Sequence, residues 1–257
     1  MPASGAGGLI CPQCKRDVLR RLMSSTTATR PDKTMPPVTL LLIAVNIIVY
    51  GLELTVAPER QPMDSFLRQW AVSSDSMSKP WTLVTSMFLH DPYSFAHIAF
   101  NMMALASVGV VLEKAIGGIA YSCLYFAGGV CGSLVAWWWT ATTGSQEVHL
   151  GASGAIFSLF SACLVLAGRL GVDWKNLAGC LALNLAVPVF TPGVSWQAHT
   201  GGAVLGALAG VAAMLASRTA EYDGTWPIRL AKPGRLMLSA AAIALAVVAF
   251  LASSTML

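Results

Sequence analysis

The stretch Gly151-Ala152-Ser153-Gly154-Ala155-Ile156-Phe157 opens an apolar run that meets no charge until Arg169. In hydrocarbon a lone serine hydroxyl needs no special account, because it can bond back to a carbonyl one turn earlier. The histidines change that reading. The chain has four, and His97 and His199 each stand near the end of another long apolar run. An ionisable side chain inside a membrane segment is costly, and its default reading is functional. A serine and a histidine that can meet within a helix bundle point to an activated nucleophile.

Composition places that stretch in a bilayer. Of 257 residues, 55% are hydrophobic and 11% charged, against roughly 25% charged in a soluble domain. The expected fold is therefore all-α, a polytopic membrane helix bundle. The net charge of +4 is spread over short loops and forms no basic stripe, so no nucleic-acid partner is expected. The lipid bilayer is the expected partner. Residues 1–36 are polar and the first apolar run is long enough to span, so no cleavable signal peptide is expected.

Seven spans follow in order: about Val38 to Val56, Phe95 to Leu112, Gly118 to Trp139, Ser153 to before Arg169, Leu177 to Phe190, Trp196 to Ala216, and Leu236 to Leu251. Pro36-Pro37 punctuates the first, while Pro188 and Pro192 interrupt the fifth. The loop over residues 57–93 is too long for a plain connection. Its Phe66, Leu67, Trp70 and Val72 suggest an interfacial helix. Trp137-Trp138-Trp139 reads as an aromatic belt at the membrane surface.

With the N-terminus inside, all but three of the 16 Lys and Arg residues fall in cytoplasmic pieces. The three, Arg60, Arg68 and Lys79, sit in the long first loop beside acidic residues. The positive-inside rule thus sets the N-terminus in the cytoplasm. The chain divides into an arm over 1–36, a core over 37–217, a charged linker over 218–235, and a seventh helix with its tail over 236–257.

Cys123, Cys131, Cys163 and Cys180 lie in apolar runs and read as small hydrophobes. Cys11 and Cys14 form a C-x-x-C with no other Cys or His before His90. A closed zinc site needs four ligands. The pair is half of a degenerate knuckle or a free dithiol, with zinc shared between two chains and a redox role as alternatives. No cofactor is expected.

Depth gathers the polar residues. At ~1.5 Å per residue, Ser153 lies roughly 24 Å above Arg169, His97 about 24 Å and Asn101 about 18 Å above Glu113, and His199 roughly 28 Å above Arg218. In a hydrocarbon core of ~30 Å all four fall at similar depth in the outer part. His97 and Asn101, at i and i+4, share a helix face and can donate to an oxygen that becomes negative during reaction. Gly202, Gly206 and Gly210 also share one face, which permits close approach to another helix. If that face meets the small face at Gly151, Ser153, Gly154 and Ala155, His199 reaches Ser153. No Asp or Glu is expected in the outer half of any span, so a Ser-His dyad rather than a triad is anticipated.

These residues resemble the rhomboid family of intramembrane serine proteases. The segment Trp81 to His90, leading into His97 and Asn101, resembles the end of that family's first loop and its H-x-x-x-N helix. Glu113 with Gly117 resembles its E-x-x-x-G turn, Gly151 to Gly154 its G-x-S-G, and His199 to Gly206 its histidine helix. The resemblance spans about residues 38–217. It implies a six-helix core with an extra C-terminal helix. It also implies Ser153 as nucleophile and His199 as base and then acid. His97, Asn101, the Ser153 amide and the Gly151 turn would stabilise the oxyanion. The implied substrates are membrane proteins with a single, locally unstable spanning helix, cut near the outer surface.

The sequence departs from that pattern twice. Thr82 follows Trp81 where an Arg is common, so a loop anchor is missing. Phe157 stands where Tyr is common, so a ring can stack on His199 without a hydroxyl. A non-catalytic rhomboid-like protein that binds membrane helices is the alternative. A transporter using a proton path would need mid-span acids and repeated halves. From the single compact chain without a transit-like leader, a bacterial plasma membrane is the expected location.

Overall fold

The computed structural model describes residues 34–56, 60–175, 177–179, 181–182, 194–216, 220–221 and 229–255. Its helices are α1 (Pro37–Val56), α2 (Arg60–Trp70), the short α3 (Thr82–Thr85), α4 (Phe95–Ile116), α5 (Gly118–Thr143), α6 (Ser153–Leu170), α7 (Trp196–Ala216) and α8 (Lys232–Ser254). Six of these, all but α2 and α3, are long and apolar enough to cross a membrane. The protein is an all-α polytopic membrane bundle. Most of the expected fifth span, including Pro188 and the following Pro192, lies outside the described residues, as does all of the 1–33 segment carrying Cys11 and Cys14.

Helices α5 and α6 are the most buried of the six, and α8 the least. Helix α7 is wedged between α5 and α6 because glycine lets backbones touch. A Cβ on Gly202 would overlap the Gly154 backbone, and one on Gly206 the Ser158 backbone. On the other side, a Cβ on Gly201 would stand 2.8 Å from the Cys131 carbonyl and 3.0 Å from the Gly132 Cα. With no hydrophobic effect to drive apolar helices together in lipid, such close van der Waals contact holds the bundle.

At the opposite end from Ser153, α4 clasps the start of α1. Glu113 accepts hydrogen bonds from the amides of Val38 at 3.0 Å and Thr39 at 2.7 Å, and from the Thr39 hydroxyl at 2.7 Å. The first amides of a helix lack partners within it, and the helix dipole favours an acid there. Glu113, taken in the sequence as a marker of the membrane's inner edge, is buried within the protein. Gly117 follows at φ +82, a left-handed conformation that suits glycine, and turns the chain into α5.

The long first loop folds onto the bundle. Its helix α2 leaves Trp70 exposed, while Val72 is buried and bridges His149 through paired backbone bonds of 3.0 and 2.8 Å. In place of the absent Arg, Thr82 is buried and donates to the Lys79 carbonyl at 2.8 Å, and the Trp81 indole donates to Gln69 at 3.0 Å. Trp137 corrects the expected aromatic belt. It is buried, and its indole donates to the Ser74 carbonyl at 3.1 Å, so it fastens the loop. Only Trp138 of the three is exposed. The charged linker also holds structure absent from the reading of sequence: Ala220–Glu221 pairs antiparallel with Arg229–Leu230.

Candidate active site

Ser153 is the first residue of α6, and its partly exposed position contrasts with the buried Gly154 to Leu159 that follow. Its amide belongs to the turn whose N–H groups find no partner within the helix. Gly151 precedes it at φ +124 and donates its N–H to the Ser86 carbonyl at 2.9 Å. That amide is therefore committed to the first loop. What Gly151 contributes is room: a Cβ there would stand 3.0 Å from His97 Nε2 and 3.7 Å from Ser153 Oγ. His97 Nε2 and Ser153 Oγ thus border one small space over Gly151.

His97 and Asn101 both come from the first turns of α4. The Asn101 side-chain amide donates to the His97 carbonyl at 2.9 Å. That leaves its second N–H for another acceptor, since a carboxamide carries two donors. The His97 Nδ1 accepts the Asp91 amide at 3.4 Å.

His199 is buried in the first turn of α7. Its ring stacks on Phe157, with centroids 4.2 Å apart and planes 16° from parallel. Phe157 stands one turn beyond Ser153 on α6, so the imidazole lies over the serine's own helix. The register comes from the glycines. Gly202 sits on the Gly154 backbone, which sets the residue after Ser153 against the residue one turn after His199. Gly206 repeats the contact at Ser158.

The structure thus gathers Ser153, His97, Asn101, Gly151, Phe157 and His199 at one end of the bundle. It also corrects one expectation. Glu53 is an acid in the last turn of α1, at the same end of the bundle as His97, and it is fully buried. Both of its oxygens accept the His90 amide at 3.1 Å. Sequence reasoning also passed over His90. This residue is fully buried, and its ring meets His97 edge-on at 5.1 Å. Burial, then the adjacent His97, pushes its pKa down to about 3. The signal was available, because Glu53 falls three residues before the end of an apolar run and is its only charge.

Fold and site together define an integral membrane protein with a serine and a histidine held on facing helices. The chain belongs to the rhomboid family of intramembrane proteases: residues 77–218 match the Rhomboid domain. It is 29% identical over 206 residues to the rhomboid protease AarA of Providencia stuartii, covering 69% of this chain and 72% of that protein. Identity to the rhomboid protease GluP of Bacillus subtilis is 29% over 184 residues, covering 69% of this chain and 35% of that protein. RHOMBOID-like protein 5 of Arabidopsis thaliana is 34% identical over 147 residues, covering 52% and 44%. The chain therefore spans less than half the length of the last two. Rhomboid proteases act on membrane proteins within the lipid bilayer.

Proposed function

We propose that this chain is an active serine endopeptidase that cuts membrane-protein helices by a Ser153–His199 dyad. The observation that carries the reading is the seating of Gly202 on the Gly154 backbone with His199 stacked on Phe157. Ser153 Oγ attacks the scissile carbonyl as His199 takes its proton. The carbon–nitrogen bond then breaks, and His199 returns the proton to the departing amine. Water, deprotonated by the same imidazole, releases the acyl group.

The tetrahedral oxygen carries negative charge, and donors fixed before reaction stabilise it at no cost in reorganisation. His97 Nε2, the spare Asn101 N–H and the Ser153 amide fill that role, while Gly151 keeps the space open. Phe157 holds the imidazole plane by stacking. Water reaches the site through a polar cavity, since unpaired backbone is not tolerated against lipid.

The substrates are single-span membrane proteins cut near the outer surface. A helical substrate must unwind to expose its carbonyl, so Gly or Pro near the cut favours cleavage. The N-terminal arm lies in the cytoplasm of a bacterial cell, the core spans residues 37–217, and the seventh helix packs as an addition after the 218–235 linker.

A fluorophosphonate probe applied to the full chain in detergent tests the reading. Labelling of wild type and its loss in Ser153→Ala support the dyad, alongside cleavage of a co-expressed single-span protein by wild type alone. An intact, folded chain that neither labels nor cleaves is instead a non-catalytic helix-binding member of the family.

A further inference from the structure

Two consecutive amides near the end of the first loop are spoken for. The His90 N–H goes to both Glu53 oxygens at 3.1 Å, and the Asp91 N–H goes to His97 Nδ1 at 3.4 Å. A neutral imidazole has one donor and one acceptor nitrogen, and the bond made by one fixes the proton on the other. With Nδ1 accepting, the ring proton sits on Nε2. That is the nitrogen bordering the space over Gly151 that Ser153 Oγ shares. The His90 ring, fully buried, meets the imidazole edge-on at 5.1 Å.

Glu53 is the anchor of this arrangement. It is buried in the last turn of α1, a helix largely exposed along its length, and its carboxyl grips the loop at the residue before Asp91. Adjacent peptide planes share one Cα, so fixing the His90 amide restricts where the Asp91 amide can point. A buried acid in a membrane span is costly unless it meets donors. Here the donor it meets belongs to the segment that sets the His97 tautomer.

We propose that Glu53, acting through the His90–Asp91 backbone, is a positioning residue that holds His97 as the Nε2–H tautomer facing Ser153. The proposal rests on the protease reading for its effect on rate, but its effect on the tautomer does not.

Two variants of the full chain separate reach from charge. Glu53→Gln keeps an oxygen at the same distance from the His90 amide. Glu53→Asp keeps the carboxyl but withdraws it by one methylene. The tautomer is read from the nitrogen-15 histidine spectrum, with the His97 signal assigned by its loss in His97→Gln. Wild type and Glu53→Gln show the Nε2–H form, while Glu53→Asp shows a mixture. In parallel, Glu53→Asp lowers kcat on the order of ten- to hundredfold at nearly constant KM, the size of a small misplacement at a reacting centre, and Glu53→Gln restores it. An unchanged tautomer in Glu53→Asp, or equal loss in both variants, overturns the proposal. Absence of Ser153-dependent cleavage in wild type would sink the protease reading alone, because the spectrum still decides the role of Glu53.

Discussion

Gly202 on α7 lies directly on the backbone of Gly154 on α6, with no room between them for a methyl group. Gly154 follows Ser153, and Gly202 stands one turn after His199. This contact sets the register of the two helices that carry Ser153 and His199. Gly202→Ala forces them apart, and overpacking of this kind typically costs about 1–3 kcal/mol. The expected outcome is loss of most cleavage and probe labelling with a lower melting temperature. Gly168→Ala, on α6 with open space around its Cα, serves as the control and retains both.

Gly151 combines a backbone conformation that side chains rarely adopt with a neighbour 3.0 Å from any added Cβ. Gly151→Ala therefore strains the turn and presses on His97 Nε2. Strain of this sort costs of order 1–3 kcal/mol. We expect kcat to fall by at least tenfold, by roughly 1.4 kcal/mol per decade, with KM little changed in a steady-state cleavage assay.

Phe157 holds the His199 ring by stacking. Aromatic pairs contribute about 0.5–1.5 kcal/mol beyond simple burial. Phe157→Ala should lower kcat by roughly two- to tenfold on that basis, while Phe157→Tyr keeps the stack and stays at or above wild-type rate. Second-order labelling rates with the fluorophosphonate report the same order without a protein substrate.

Glu113 receives three hydrogen bonds from the first turn of α1. Bonds to a charged acceptor are each worth about 1.5–3 kcal/mol. Glu113→Ala leaves two buried or half-buried amides without that acceptor and should destabilise the fold by at least ~3 kcal/mol. Glu113→Gln loses less, because its carbonyl oxygen still accepts. Thermal unfolding of the purified chain in detergent gives both values, and Thr39→Val isolates the hydroxyl.

His90 makes stability fall in acid. Its folded pKa is about 3, against about 6.5 for a free histidine. Between those values the unfolded chain takes up a proton that the folded chain refuses. The contribution is complete above about pH 6.5 and is lost progressively toward pH 3. His149 shifts in the same direction, lowered by burial and partly restored by the Glu147 charge. Melting temperatures measured across this range should drop steeply for wild type and more gently for His90→Gln. Equal slopes would contradict the assignment.

How much of this was written in the chain differs from element to element. The Trp196–Ala216 helix has the bounds that hydropathy alone implies, because burial in lipid is a property of each residue and sums along a run. The same reasoning misplaced Trp137. An indole at the end of an apolar run looks the same whether it faces headgroups or a folded loop, and only the Ser74 carbonyl decides which. The 220–221 and 229–230 pairing escaped notice since each strand has two residues, too few for any alternation to register.

By itself, the sequence determined six of the expected spans and a glycine face able to bring two helices close, and it put serine, histidines and asparagine near the ends of those spans. These follow from local hydropathy and helical period. Tertiary structure alone decided that Glu53 reaches the His90 amide, that the Gly151 N–H is taken by Ser86, and that Glu113 grips α1. Each of those is a bond between residues far apart in the chain, and its geometry depends on how helices rotate about their own axes. Hydropathy carries no information about that rotation within a bundle whose helices are apolar on nearly every side.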